Sequence, residues 1–222
     1  MNLTNELFTL IHTRDGYRHI GLDLSYKFYA DRDGHRLFVC FQGSNGLRDW
    51  KNNLLAVPSR AAEPYRGCGW KVHGGFAGVW RSGNDAVIRE ARELWEKYSR
   101  SRPLPGGGHG AYKLVFCGFS HGAALAQLAA EDCGSRFGGV YDCVCFGSPK
   151  LAWGTRALTH LQRSIRLTNW INRADLITAL PFRALGYRHV REDFVNVRRI
   201  PLLSSLRVFK HHQVYDRKEI YP

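Results

Sequence analysis

The chain of 222 residues lacks any stretch near the ~20 uninterrupted apolar residues that a membrane-spanning helix requires. Met1–Arg18 lacks the basic start and apolar run of a secretory leader. It has no pair of cysteines at the two-residue spacing of a zinc knuckle, because Cys143 and Cys145 are separated by a single residue. There is no internal repeat and no low-complexity segment. Acidic residues are scarce, 19 Asp and Glu against 32 Lys and Arg, for a net charge of +13. These absences argue against a membrane span and a zinc module.

The excess of positive charge favours an anionic partner. From Lys150 onward there are 14 Lys and Arg against 5 Asp and Glu, yet they are scattered among apolar residues. They form no run and no aromatic-interleaved patch like a nucleic-acid site, so a solvated basic surface is the reading, with a lipid-surface or nucleic-acid footprint as the alternative. A hydrophobic content of 44% suffices to bury one core, so a single domain over residues 1–222 is expected. Cys40, Cys117, Cys143 and Cys145 sit in β-like apolar runs, where a free thiol acts as a small hydrophobe. A reducing, cytoplasmic location is the expectation.

The order of elements alternates strand and helix, the pattern of a mostly parallel sheet covered by helices. Leu3–Ile11 reads as a short helix. Leu24–Ala30 and Arg36–Gln42 read as strands of a hairpin, with an Asp-Gly turn signal between them. Val79, Gly83, Val87, Ala91, Leu94 and Tyr98, at spacings of three and four, predict an amphipathic helix over Gly75–Arg100. Tyr112–Gly118 predicts a buried strand and Ala123–Glu131 a helix. Val140–Gly147 and Ile165–Asn172 follow as further strands, with a helix over Trp153–Ser164 between them. Beyond Pro181 the signals weaken.

Between the strand ending at Gly118 and the helix starting at Ala123 lies Gly118-Phe119-Ser120-His121-Gly122, a G-x-S-x-G pattern. A serine held on a sharp strand-to-helix bend exposes its hydroxyl, and the bend leaves no room for larger residues two positions either side. The helix start adds free backbone N–H groups and the positive end of the dipole. Ser120 is therefore the candidate nucleophile.

Further segments come into line around this turn. They are Phe41-Gln42-Gly43-Ser44, Asp49-Trp50 with Asn53-Leu54, Val72-His73-Gly74-Gly75-Phe76, Gly118 to Ala126, Phe146-Gly147-Ser148-Pro149, and Asn172 to Pro181. In this order the chain resembles the class 3 lipase family, which includes filamentous-fungal triacylglycerol lipases. The resemblance implies an α/β-hydrolase fold, a mostly parallel central sheet flanked by helices, with Ser, Asp and His in that chain order. It implies Ser120 as nucleophile, Asp175 as the acid that orients the base, and backbone N–H groups of Ser44 and His121 as the oxyanion hole. His212, three residues before Tyr215, fits the family's base, with His211 as the alternative. His73 and His189 fall where the family also carries histidine, in packing roles.

The resemblance also departs from the family at two positions, Phe119 where histidine is usual and His121 where leucine is common. Asn45–Leu55 occupies the place of the fungal lid, with Leu47, Trp50, Leu54 and Leu55 on one face; a packed helix that stays closed is the alternative. So small an apolar face predicts little activation at a lipid surface. The implied reaction is hydrolysis of acyl esters without metal or organic cofactor. A phospholipase A1 on anionic lipid, and a catalytically silent binding module on the same scaffold, are the alternatives.

Overall fold

The computed structural model describes residues 3–43, 58–60, 69–102, 110–173 and 175–195. A central sheet of seven strands is built from β1 (Arg18–Ile20), β2 (Leu24–Asp31), β3 (Arg36–Phe41), β6 (Lys113–Phe119), β7 (Tyr141–Phe146), β9 (Ile165–Asn172) and β11 (Asp193–Val195), in that spatial order. β1 pairs β2, and β2 pairs β3, antiparallel. From β3 to β11 every pairing is parallel. A smaller antiparallel sheet runs in the order β10 (Tyr187–Arg188), β8 (Ala152–Trp153), β5 (Lys71–His73), β4 (Pro58–Arg60).

The expected β2–β3 hairpin forms. Asp31 Oδ1 accepts from the Gly34 amide at 2.9 Å, and the other carboxylate oxygen takes the Arg36 guanidinium. This is the local closure that an aspartate at the start of a turn provides.

Strand alternation divides the core. Leu37, Val39 and Phe41 of β3, with Leu114 and Phe116 of β6, face one cluster, while Phe38, Cys40, Val115 and Cys117 face the other. The second face is covered by helix α1 (Leu3–His12), through Leu7, Phe8 and Ile11. The first holds the larger core, with α4 (His121–Phe137) against β6 and β7, and residues of α2 (Gly74–Arg81), α3 (Asn84–Arg100) and α5 (Gly154–Ser164) beside it. Cys143 and Cys145 share this face, as their spacing predicts. The five described cysteines are free and buried.

The expected continuous helix Gly75–Arg100 is divided into α2 and α3 at Ser82-Gly83. The Ser82 hydroxyl donates back to the Val79 carbonyl at 2.7 Å and accepts the Leu22 amide at 2.8 Å, so α2 ends against the β1–β2 turn. A Cβ at Gly83 would lie 2.5 Å from Ile20 Cδ1 and 2.8 Å from Leu24 Cδ2. The glycine that fitted the periodic pattern is instead where β1 and β2 press on the chain, and tertiary contact overrides the local pattern.

Candidate active site

Because β6, β7 and β9 are parallel and in register, with Phe119 opposite Phe146 and Phe146 opposite Trp170, their carboxyl ends lie along one edge of the sheet. Loops leaving this edge carry the chemistry in open α/β sheets. Ser120 follows β6 there, and Asp175 lies just beyond β9.

Ser120 has φ 56° and ψ −123°. A non-glycine residue rarely takes a positive φ, and holding it there costs of order 1–3 kcal/mol that the surroundings must offset. They do so through the backbone. The Ser120 amide donates to Phe146 O at 2.9 Å, anchoring the turn to β7, and its carbonyl accepts from the Ala123 amide at 3.0 Å, opening α4. The flanking glycines answer to clearance. A Cβ on Gly118 would lie 2.2 Å from Gly122 O, and one on Gly122 would lie 2.3 Å from Phe41 O. The bend closes onto itself and onto the end of β3 at distances only glycine allows.

The first turn of α4 carries no acidic residue, and no side chain of Ser120 caps its amides. The donor end of the helix thus faces the nucleophile. Gly43 comes close to the same point, since a Cβ there would lie 3.1 Å from Phe119 O and 3.5 Å from Ser120 Cβ. Ser44, the second expected oxyanion residue, follows Gly43 but lies outside the described residues, as do the lid residues Leu47, Trp50, Leu54 and Leu55 and both His211 and His212.

The His121 ring is buried edge-on against Phe76, with centroids 5.3 Å apart and planes at 89°. Burial, and then the neighbouring His73, push its pKa down to about 4, so the ring is neutral at ordinary pH. What His121 can offer a reacting oxygen is its backbone. His73 is likewise held down to about 4 by burial, and its Nδ1 accepts the Gly75 amide at 3.2 Å to cap α2. His189 donates from Nε2 to Thr178 O at 2.8 Å, and burial lowers its pKa to about 4. The His73 and His189 rings hold backbone in place, the role that the resemblance implies for them.

Asp175 is 1% exposed. Its Oδ1 accepts the Ile177 amide at 2.9 Å, capping the short helix α6 (Leu176–Ala179), while its own amide donates to Asn172 O at 3.0 Å. The carboxylate is held by the chain immediately around it, at the edge that carries Ser120.

Sequence reasoning missed two braces. Gln127 Nε2 donates to the Ser148 hydroxyl at 2.9 Å, tying α4 to the loop after β7. Lys150, 9% exposed, donates from Nζ to Thr178 O at 3.2 Å and to Ala179 O, fastening the helix that starts at Asp175. Burial lowers its pKa. Its partners are backbone carbonyls distant in sequence, so no spacing signals it.

Known proteins resemble this chain in sequence and in fold. A "Lipase" from Rhizomucor miehei is 25% identical over 162 residues, 71% of this chain and 41% of that protein. Secreted mono- and diacylglycerol lipase A of Penicillium cyclopium is 25% identical over 167 residues, 74% of this chain and 49% of that protein. The chain thus spans about half the length of the curated relatives it matches. Among solved structures, a variant of MDLA from Penicillium cyclopium superposes with a TM-score of 0.67 at 22% identity, covering 81% of this chain and 61% of that one. A structure in which a serine protease triad is described as forming the catalytic centre of a triacylglycerol lipase gives 0.68 at 21% identity, with 82% and 67% covered. These likenesses carry the α/β-hydrolase fold. With residues 38–185 matching the family described as "Lipase (class 3)", and with the serine bend and buried aspartate inside that span, the chain belongs to the class 3 lipase family.

Proposed function

We propose that the protein is a serine ester hydrolase that cleaves carboxyl esters or acylglycerols through an acyl-enzyme on Ser120. The observation that carries this is the bend itself, with a serine at φ 56° facing the uncapped donor end of a buried helix. Ser120 Oγ bonds to the ester carbonyl carbon as its proton passes to His212, and the oxyanion is held by the amides of His121 and Ser44. Collapse breaks the bond to the alcohol, which leaves with the proton from His212. Water then repeats the sequence and releases the acid, while Asp175 keeps the base oriented. The chain's own groups suffice for every proton transfer.

The test is hydrolysis of p-nitrophenyl esters over a series of chain lengths by wild type and Ser120→Ala side by side. The rate should fall by at least about 10⁴-fold in the variant, and wild type alone should be labelled by a fluorophosphonate. Equal rates in the two proteins would refute the proposal.

A phospholipase A1 activity is the second reading, supported by the basic C-terminal third. Phospholipase A(1) DAD1 of Arabidopsis thaliana is also 27% identical over 158 residues, 64% of this chain and 33% of that one. Salt separates the two readings, because screening weakens attraction to anionic lipid and leaves a soluble ester almost unaffected. The buried free thiols support a reducing compartment as its place of work.

A further inference from the structure

Singly exposed apolar side chains are ordinary on a protein surface. On β8 and the turn before β10 they are neighbours. Phe182 and Leu185 are each 57% exposed and Trp153 is 36% exposed. The Leu185 amide donates to Phe182 O at 3.0 Å across the single 3₁₀ turn Arg183–Leu185, a geometry that puts positions three apart on the same side. The Trp153 indole N–H donates to Leu185 O at 3.0 Å, so the ring's polar edge is satisfied and its apolar body lies beside the turn.

Positive charge borders this ridge. Lys71, opposite Trp153 in the small sheet, places Nζ 5.3 Å from the centroid of the indole ring. Arg156 donates to Gly69 O at 3.5 Å, just before Lys71 in the chain. Arg188 donates to Arg183 O at 2.8 Å on the other side of the turn. From Lys150 to Val190 there are 7 Lys and Arg against the single Asp175, which is buried. The ridge therefore offers apolar and aromatic groups among cations, with no exposed carboxylate from its own stretch of chain.

We propose that this ridge, Trp153, Phe182 and Leu185 bordered by Lys71, Arg156 and Arg188, docks the protein onto an anionic phospholipid bilayer. Apolar side chains enter the headgroup boundary, where an amphipathic indole is at home. The cations meet phosphates at the surface, each contributing to attraction that salt screens. The segments concerned leave the carboxyl ends of β7 and β9, the edge that carries Ser120 and Asp175. This rests on the reading of the site as an ester hydrolase.

The experiment is co-sedimentation of the full chain carrying Ser120→Ala with vesicles of phosphatidylcholine alone or with phosphatidylglycerol. Binding should require the anionic lipid and weaken with salt. Adding Lys71→Gln and Arg156→Gln should weaken it on the order of 30-fold. Adding Phe182→Ser and Leu185→Ser instead should weaken it by about tenfold or more. Unaltered thermal melting shows that the variants remain folded. Binding unaffected by both pairs, or equal on neutral and anionic vesicles, overturns the docking surface. The same pairs made with Ser120 retained should hydrolyse a soluble ester at the wild-type rate. If the soluble ester is not cleaved while vesicle binding still depends on the ridge, the hydrolase reading fails and the docking surface stands.

Discussion

The amino end of α4 and the last buried turn toward its carboxyl end are built by opposite means. At the amino end, by Ser120, the side chains are small or neutral: no acid lies in the first turn, the His121 ring is held uncharged by burial, and glycines let backbone approach backbone. In that last buried turn, Asp132 is surrounded by partners, and the buried Glu131 is bonded through Oε1. Asp132 accepts from the Trp80 indole at 3.0 Å and the Asn84 amide at 3.1 Å, and takes Arg136 Nε at 2.6 Å. Arg136 reaches on to Asp85 at 2.7 Å, and His160 meets Glu131 at 2.7 Å while stacking on Trp70. A carboxylate at the first end would occupy the donors an oxyanion needs. At the second site the same groups knit α4 to the helices around it, where a buried carboxylate needs hydrogen-bond partners.

Substitutions can break this contrast. The largest effect is expected from Gly122→Ala, whose Cβ would meet Phe41 O at 2.3 Å and Gln42 O at 2.7 Å, both backbone atoms. Activity should fall more than about 100-fold, with roughly 3 kcal/mol lost from stability. Near-normal kinetics and melting would mean that the bend has slack the structure does not display. Asp132→Ala should also cost about 3 kcal/mol, by leaving Trp80, Asn84 and Arg136 without their acceptor. Denaturant unfolding measures that loss, and the rate on a soluble ester should stay within about twofold, because the change is remote from Ser120. A variant inactive but fully stable would reverse the roles assigned to the two ends.

Acid should act on the amino end. An unfolded histidine takes its proton near pH 6.5, whereas burial holds His73 and His121 down to about 4. Between those values the unfolded chain binds more protons, so this contribution to stability is fully present above pH 6.5 and is lost as pH falls toward 4. Each ring should contribute a slope of roughly 1 kcal/mol per pH unit within that window. His121→Leu should flatten the stability curve by that amount, with an unchanged pH–rate profile because the backbone donor remains. A profile displaced in that variant would show that the ring titrates in the working enzyme. The smallest effect is expected from Glu131→Gln, which weakens the His160 contact and should cost about 1 kcal/mol in denaturant unfolding.

The alternating apolar runs placed the central strands β2, β3, β6, β7 and β9 within a residue or two, because strands buried on both faces leave continuous hydrophobic sequence. The nucleophile turn was legible for a related reason: close approach of backbone demands glycine wherever the turn occurs, and glycine is visible in one dimension. The strands of the small sheet, two or three residues each, left no such trace. Elements so short carry less than one full period of any pattern, and β8, β10 and β5 exist by pairing with one another.

By itself, then, the sequence determined the α/β class, the serine at the bend and the family, since periodicity, clearance and motif order are properties of the chain alone. The tertiary structure decided that Gly83 breaks a helix, that His121 is an uncharged ring, and that Lys150 braces the helix beginning at Asp175. Each depends on atoms brought together from distant parts of the chain, and burial, clearance and hydrogen bonding between such atoms come into being only when the chain folds.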